Sequence, residues 1–133
     1  MLDYESQIYS KVAAALRKQF PTVFVTGEYV KSPPRFPAVF ITESDNALYR
    51  RGSSSSNDEE FSAVTYEVDV FSNRKTGKKS EAKAIMVAVS EQLHRLNFQR
   101  MMMSPIPNEA DSTIYRYHAK FRAVIGNGTL YRR

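Results

Sequence analysis

The clearest pattern of hydrophobic and polar positions lies at 61–96, and it predicts a strand, a basic turn and a helix. Apolar and polar residues alternate at 61–71, which is typical of a strand with one buried face. The turn at 72–79 contains Asn, Gly and four basic residues, which favour an exposed bend. Apolar residues then recur at helical spacing, with Ser80 as the predicted N-cap. The predicted core of this unit is Val64, Tyr66, Val68, Val70, Ile85, Val89 and Leu93.

The other segments complete an alternation of helices and strands. The predicted elements are a helix at 4–19, strands at 22–26, 38–42 and 112–125, and a connector at 97–111. Asp3 is the expected N-cap of the first helix, and Pro21 ends it because the residue before proline avoids the α region. Short polar links between strands favour antiparallel pairing. We therefore predict an α+β fold of order α-β-β-β-α-β, with two helices packed on one face of an antiparallel sheet.

Length and composition limit the possible classes of protein. A chain of 133 residues is expected to form a single domain, 1–133. It has no cysteine, which excludes disulfides and thiolate metal sites. No segment approaches the length of a membrane span, and the first residues lack a signal-peptide pattern, so we expect a soluble protein made in the cytoplasm with no membrane partner. The net charge of +5 fits either ordinary solubility or an acidic partner.

Two polar segments stand outside the predicted elements. Residues 46–60 form a long polar loop, which is either disordered or a binding loop. Residues 126–133 begin with a Gly-Asn-Gly break and are predicted as a flexible tail. An open sheet also has two edges that must be protected or used, so the chain is equipped to bind copies of itself.

Catalytic patterns are weak in this sequence. The two histidines, His94 and His118, belong to no ligand pair or carboxylate cluster, so no metal site is expected. The glycines are scattered and form no phosphate loop, and no Ser is placed with a His and an orienting acid. We predict no catalytic residues, no cofactor and no enzyme activity. A small hydrolase with a dispersed site is the weakest alternative.

One strand carries a basic face, formed by Arg116, His118, Lys120 and Arg122. Such a row could follow a phosphate backbone, which makes a small nucleic-acid-binding module the main alternative function. If this strand pairs with the strand at 61–71, however, Glu67 and Asp69 lie on the same outward face and neutralise it. Both interpretations remain open at this point.

Several segments carry a resemblance to a known family. They are NALYRRG at 46–52, VTYEVDVFSN at 64–73, GKKSEAK at 77–83, LNF at 96–98, PIPN at 105–108 and TIYRY at 113–117. Together they resemble the tail-terminator or tail-completion proteins, the head–tail joining proteins of long-tailed bacteriophages. The resemblance covers about residues 38–125 and includes no catalytic signature.

The resemblance implies a structural virion protein that forms a ring, commonly a homohexamer, at the head-proximal end of the tail. Such a ring ends tail-tube polymerisation and joins the tube to the head connector or stopper protein, after assembly in the host cytoplasm. The basic face would then line the bore and meet passing DNA without reading its sequence. The polar loop would contact a partner protein through Tyr49, Arg50, Arg51, Asn57, Asp58, Glu59 and Glu60.

Overall fold

The computed structural model of the protein describes residues 4–49, 61–107, 111–126 and 129–131. Two helices and six strands lie in these ranges. In chain order they are α1 (Glu5–Gln19), β1 (Phe24–Thr26), β2 (Ala38–Tyr49), β3 (Phe61–Ser72), α2 (Lys78–Arg95), β4 (Gln99–Ile106), β5 (Tyr115–Gly126) and β6 (Thr129–Tyr131). No helix in these ranges is both long and apolar enough to cross a membrane.

The predicted α+β class is confirmed, with both helices against one sheet. The strand order is β1-β2-β3-β5-β4, and β6 pairs with the end of β5. The long central strands β2, β3 and β5 pair antiparallel, as predicted. Two details differ from the expectation: β1 runs parallel to β2, so the sheet is mixed, and part of the predicted connector at 97–111 forms β4. Pro105 is tolerated in β4 because that strand lies at the sheet edge.

The hairpin formed by β2 and β3 is longer than the pattern suggests. β2 continues to Tyr49, and Asn46 pairs with Val64. The predicted polar loop 46–60 therefore begins later than expected, and residues 50–60 lie outside the described residues. Beyond Gly126, the expected tail contains β6, which pairs antiparallel with β5.

The start of α2 was also predicted incorrectly. The N-cap is Gly77, whose φ of 84° is left-handed, and Ser80 lies inside the helix with no capping role. Glycine accepts this dihedral because it has no Cβ. Glu81 lies in the first turn, where its charge suits the helix dipole, and accepts a hydrogen bond of 2.5 Å from the hydroxyl of Ser72. The predicted cap of the first helix, Asp3, lies outside the described ranges.

The core lies between the helices and one face of the sheet. α2 packs on β3, β5 and β4, while α1 packs against α2 and β1. The side chains predicted for the strand–helix core, Val64, Tyr66, Val68, Val70, Ile85, Val89 and Leu93, are all at most 1% exposed. On β5 the alternate residues Ala119, Phe121, Ala123 and Ile125 join them. Burial of this inner face leaves the opposite face of the sheet, called here the outer face, to be considered for function.

Candidate interaction surface

The register of the central strands places the predicted basic face on the outer face. Asp69 lies directly opposite His118, and Glu67 lies opposite Lys120. Residues opposite one another in an antiparallel pair share a face, so acidic and basic side chains come together there. This is the arrangement expected if the carboxylates of β3 neutralise the bases of β5.

Asp69 is the centre of a polar network on this face. Its Oδ1 accepts a hydrogen bond of 2.8 Å from Nε of Arg116, and it lies 2.8 Å from Nδ1 of His118. Because an ionised carboxylate only accepts, Nδ1 is the donor in that pair. The other ring nitrogen of His118 lies 3.4 Å from Oε1 of Glu67. His118 is only 7% exposed, so this predicted member of a solvent-facing basic row is buried and engaged by carboxylates.

Lys120 and Arg122 differ from the other two basic residues. Both are partly exposed, and the structure assigns neither an ion pair with any residue in the described ranges. Arg122 lies opposite Thr65 on one side and Gln99 on the other. The charge available to a partner on this face therefore lies toward the C-terminal end of β5.

A groove of about 530 Å³ lies at the other end of the outer face. Its floor includes Phe40 and Phe71, whose ring centroids are 5.3 Å apart, together with the Asp69–Arg116 pair. The segment between β1 and β2 forms one wall. Tyr29 in that wall contacts Phe40 edge-on at 6.1 Å and is 78% exposed. No periodic signal in the sequence indicates that this segment lines a groove.

Two titratable groups near the start of β5 have shifted pKa values. Both the backbone N–H and the hydroxyl of Thr113 donate to Asp111, at 3.0 and 2.6 Å, and these bonds lower the pKa of the carboxyl group below 3.8. The pKa of Tyr115 is raised above its ordinary value of 10.0, mainly because the hydroxyl is partly buried and to a smaller extent because Tyr117 lies nearby. Both shifts follow from ordinary local contacts and indicate no proton-transfer chemistry.

Other predicted site residues fall elsewhere. Residues 50–60, which include Arg50, Arg51, Asn57, Asp58, Glu59 and Glu60, lie outside the described residues, and for Tyr49 only its place in β2 is described. His94 lies in the last turn of α2. Within the described part of the chain, no three His, Asp or Glu residues converge as metal ligands would.

Comparison with known proteins gives one informative result. No family model matches the chain, and no curated protein matches its sequence. Among solved structures, a chain in the structure titled "Virion of native gene transfer agent (GTA) particle" superimposes with a TM-score of 0.62, covering 90% of this chain and 92% of that one. This protein shares the fold of that virion chain. The two sequences are 15% identical, so the likeness extends to the fold alone.

Proposed function

We propose that this protein is a structural component of a phage-like virion rather than an enzyme. In the proposed role, copies of the chain form a ring, most simply a hexamer, at the head-proximal end of the tail. The ring ends polymerisation of the tail tube and joins it to the head connector or stopper protein. Assembly takes place in the host cytoplasm, and the finished location is the tail–head junction.

The likeness in fold to a virion chain is the observation that carries this proposal. It extends over nine-tenths of both chains, so it concerns the whole protomer rather than one common motif. The sequence segments that resemble tail-terminator proteins support the finer assignment to the end of the tail. Four of these segments overlap β3, α2, β4 and β5, which form the body of the fold.

The hairpin between β2 and β3 supports a role for residues 50–60 in partner contact. Its two strands pair as far as Tyr49 and Phe61, and these eleven residues come between them in the sequence. Their mixture of arginines with Asp58, Glu59 and Glu60 suits a polar protein partner. We assign this segment the tail-tube or connector contact.

The basic strand supports at most a weak contact with DNA. Two of its four basic residues, Arg116 and His118, are engaged by carboxylates, which leaves Lys120 and Arg122. Tight DNA-binding proteins make about 6–10 phosphate contacts, so two cations per protomer suit passing DNA in a bore better than stable binding. A separate nucleic-acid-binding module is therefore less well supported. A filter-binding series from low to high salt checks this, and the logarithm of the binding constant should fall against the logarithm of salt concentration with a slope of about −2 per protomer.

Assembly on tail tubes tests the proposed function directly. The purified full chain is examined by sedimentation velocity and negative-stain electron microscopy, alone and after addition to growing tail tubes of the particle that encodes it. We expect closed rings, and tubes that stop growing with a ring at one end. A chain that stays monomeric at all concentrations and leaves tube length unchanged would refute the proposal.

A further inference from the structure

Two edges of the sheet lack a neighbouring strand in the described part of the chain. β1 covers only residues 38–40 of β2, so residues 41–47, called here the β2 margin, have β3 on one side and none of the described strands on the other. At the opposite edge, β5 is the one described strand that pairs with β4. Its outer side, Gln99–Ile106, is called here the β4 margin. Open edges present unpaired main-chain groups that can bind another strand.

Each margin is interrupted by a β-bulge at a matching place. The β2 register shifts between Glu43 and Asp45, and the β4 register shifts between Arg100 and Met102. A bulge bends its strand and breaks the regular ladder, which disfavours indiscriminate strand addition. Contact at these margins therefore depends on the side chains beside the bulges as well as on the main chain.

The side chains beside the two bulges are opposite in charge. On the β2 margin, Asp45 is exposed and has no ion pair with a residue of the described ranges, and Glu43 adds a second carboxylate. On the β4 margin, Arg100 is exposed. In the described part of the chain, its guanidinium forms one hydrogen bond, to the sulfur of Met103 at 3.9 Å. The cations of β5 described above lie one strand further in. The same sheet thus has an acidic edge and a basic edge.

We propose that the β2 margin of one copy docks on the β4 margin of the next copy. This inference rests on the proposed ring and names the surfaces that would form it. Because the two margins lie at opposite edges of one sheet, the contact is heterologous: each bound copy still offers one acidic and one basic margin, and the series closes if the rotation allows. Met101 and Met102, 57% and 36% exposed, supply adaptable apolar surface within this contact.

Charge reversal at one margin at a time tests the proposal. Asp45→Arg and Arg100→Glu each place like charges across the contact, so each variant alone should need at least about tenfold more protein for half assembly in sedimentation velocity at low salt. An equimolar mixture of the two should assemble again, since every reversed margin then meets one of opposite charge. Lys83→Glu, exposed on α2, makes the same charge change as Arg100→Glu away from both margins and should assemble like the wild type.

The outcomes separate this inference from the proposed function. If both single variants form rings as readily as the wild type, the proposed contact is wrong while the proposed ring stands. A defect in Asp45→Arg with none in Arg100→Glu indicates a symmetric contact and also overturns it, as does a mixture that stays unassembled. Hydrogen exchange gives a second measurement, with amides of both margins expected to slow on assembly. A wild-type chain that never assembles removes the ring and this contact together.

Discussion

Val68 lies at the centre of the inner face of the sheet, and its truncation measures how tightly the two layers pack. The side chain is 0% exposed and lies opposite Ile41 on β2 and Ala119 on β5. Val68→Ala removes two buried carbons, worth about 0.8 kcal/mol each. A residual cavity of about 40 Å³ adds about 1 kcal/mol. We expect the free energy of unfolding to fall by about 2.5 kcal/mol.

A charged substitution at the same position tests the assignment of the two faces. Val68→Asp adds the cost of burying an unpaired carboxylate, several kcal/mol, which is a large part of the roughly 5–15 kcal/mol that stabilises a domain. The matched control is Thr65→Asp on the same strand. Thr65 lies on the outer face opposite Arg122, so its replacement should change stability by less than about 1 kcal/mol.

Urea unfolding followed by circular dichroism provides the measurement. Protein concentration is held constant, because self-association would shift the apparent stability. An unchanged slope with a lower midpoint shows that the folded state has lost stability. A wild-type midpoint for Val68→Ala, or equal losses for Val68→Asp and Thr65→Asp, would mean that the inward face of β3 is assigned wrongly.

Two further predictions concern the outer face. Asp69→Asn removes the charge that accepts a hydrogen bond from Arg116, and it should lower the free energy of unfolding by about 1.5–3 kcal/mol in the same assay. Glu67→Gln should lower it less, because Glu67 is more exposed and lies farther from its partner His118. Thr113→Val removes the hydroxyl that bonds to Asp111 and should raise the pKa of that carboxyl toward 3.8, as followed by NMR titration. A lowered carboxyl pKa stabilises the folded state at pH values above the ordinary pKa, and this stabilisation is lost as the pH falls through the lowered pKa. The variant lacks part of this stabilisation, so it should lose less stability on acidification than the wild type. An unchanged pKa of Asp111 in Thr113→Val would show that the hydrogen bond from this hydroxyl does not stabilise the ionised carboxylate.

The proposed contact between the two margins is centred on a different part of the sheet from the groove on the outer face. Asp45 and Arg100 lie at its two edges, while the groove lies beside Phe40 and Phe71. The two charged residues also lie toward the end of the central strands away from the groove, since they pair with Thr65 and Phe121 rather than with Asp69 and its neighbours. Substitutions in the groove should thus leave assembly unchanged even where they alter contact with another protein.

The sequence alone determined which face of each central element is buried. Alternation at 61–71 and helical spacing at 80–96 depend only on neighbouring residues and on the geometry of one strand or one helix. The core of β3 and α2 was predictable for that reason. The opposition of Glu67 and Asp69 to the basic residues of β5 followed once antiparallel pairing was assumed.

Only the tertiary structure decided the features that join distant parts of the chain. The parallel pairing of β1, the formation of β4 from the connector and the groove under Tyr29 depend on where one segment meets another. Asp69 bonds to Arg116 and His118, which lie 47 and 49 positions further along the chain. The geometry of these bonds therefore depends on strand register rather than on local periodicity. The same holds for the two margins. Which strand side stays unpaired is decided by the pairing of all the strands in the sheet, and the sequence of a single strand does not specify it.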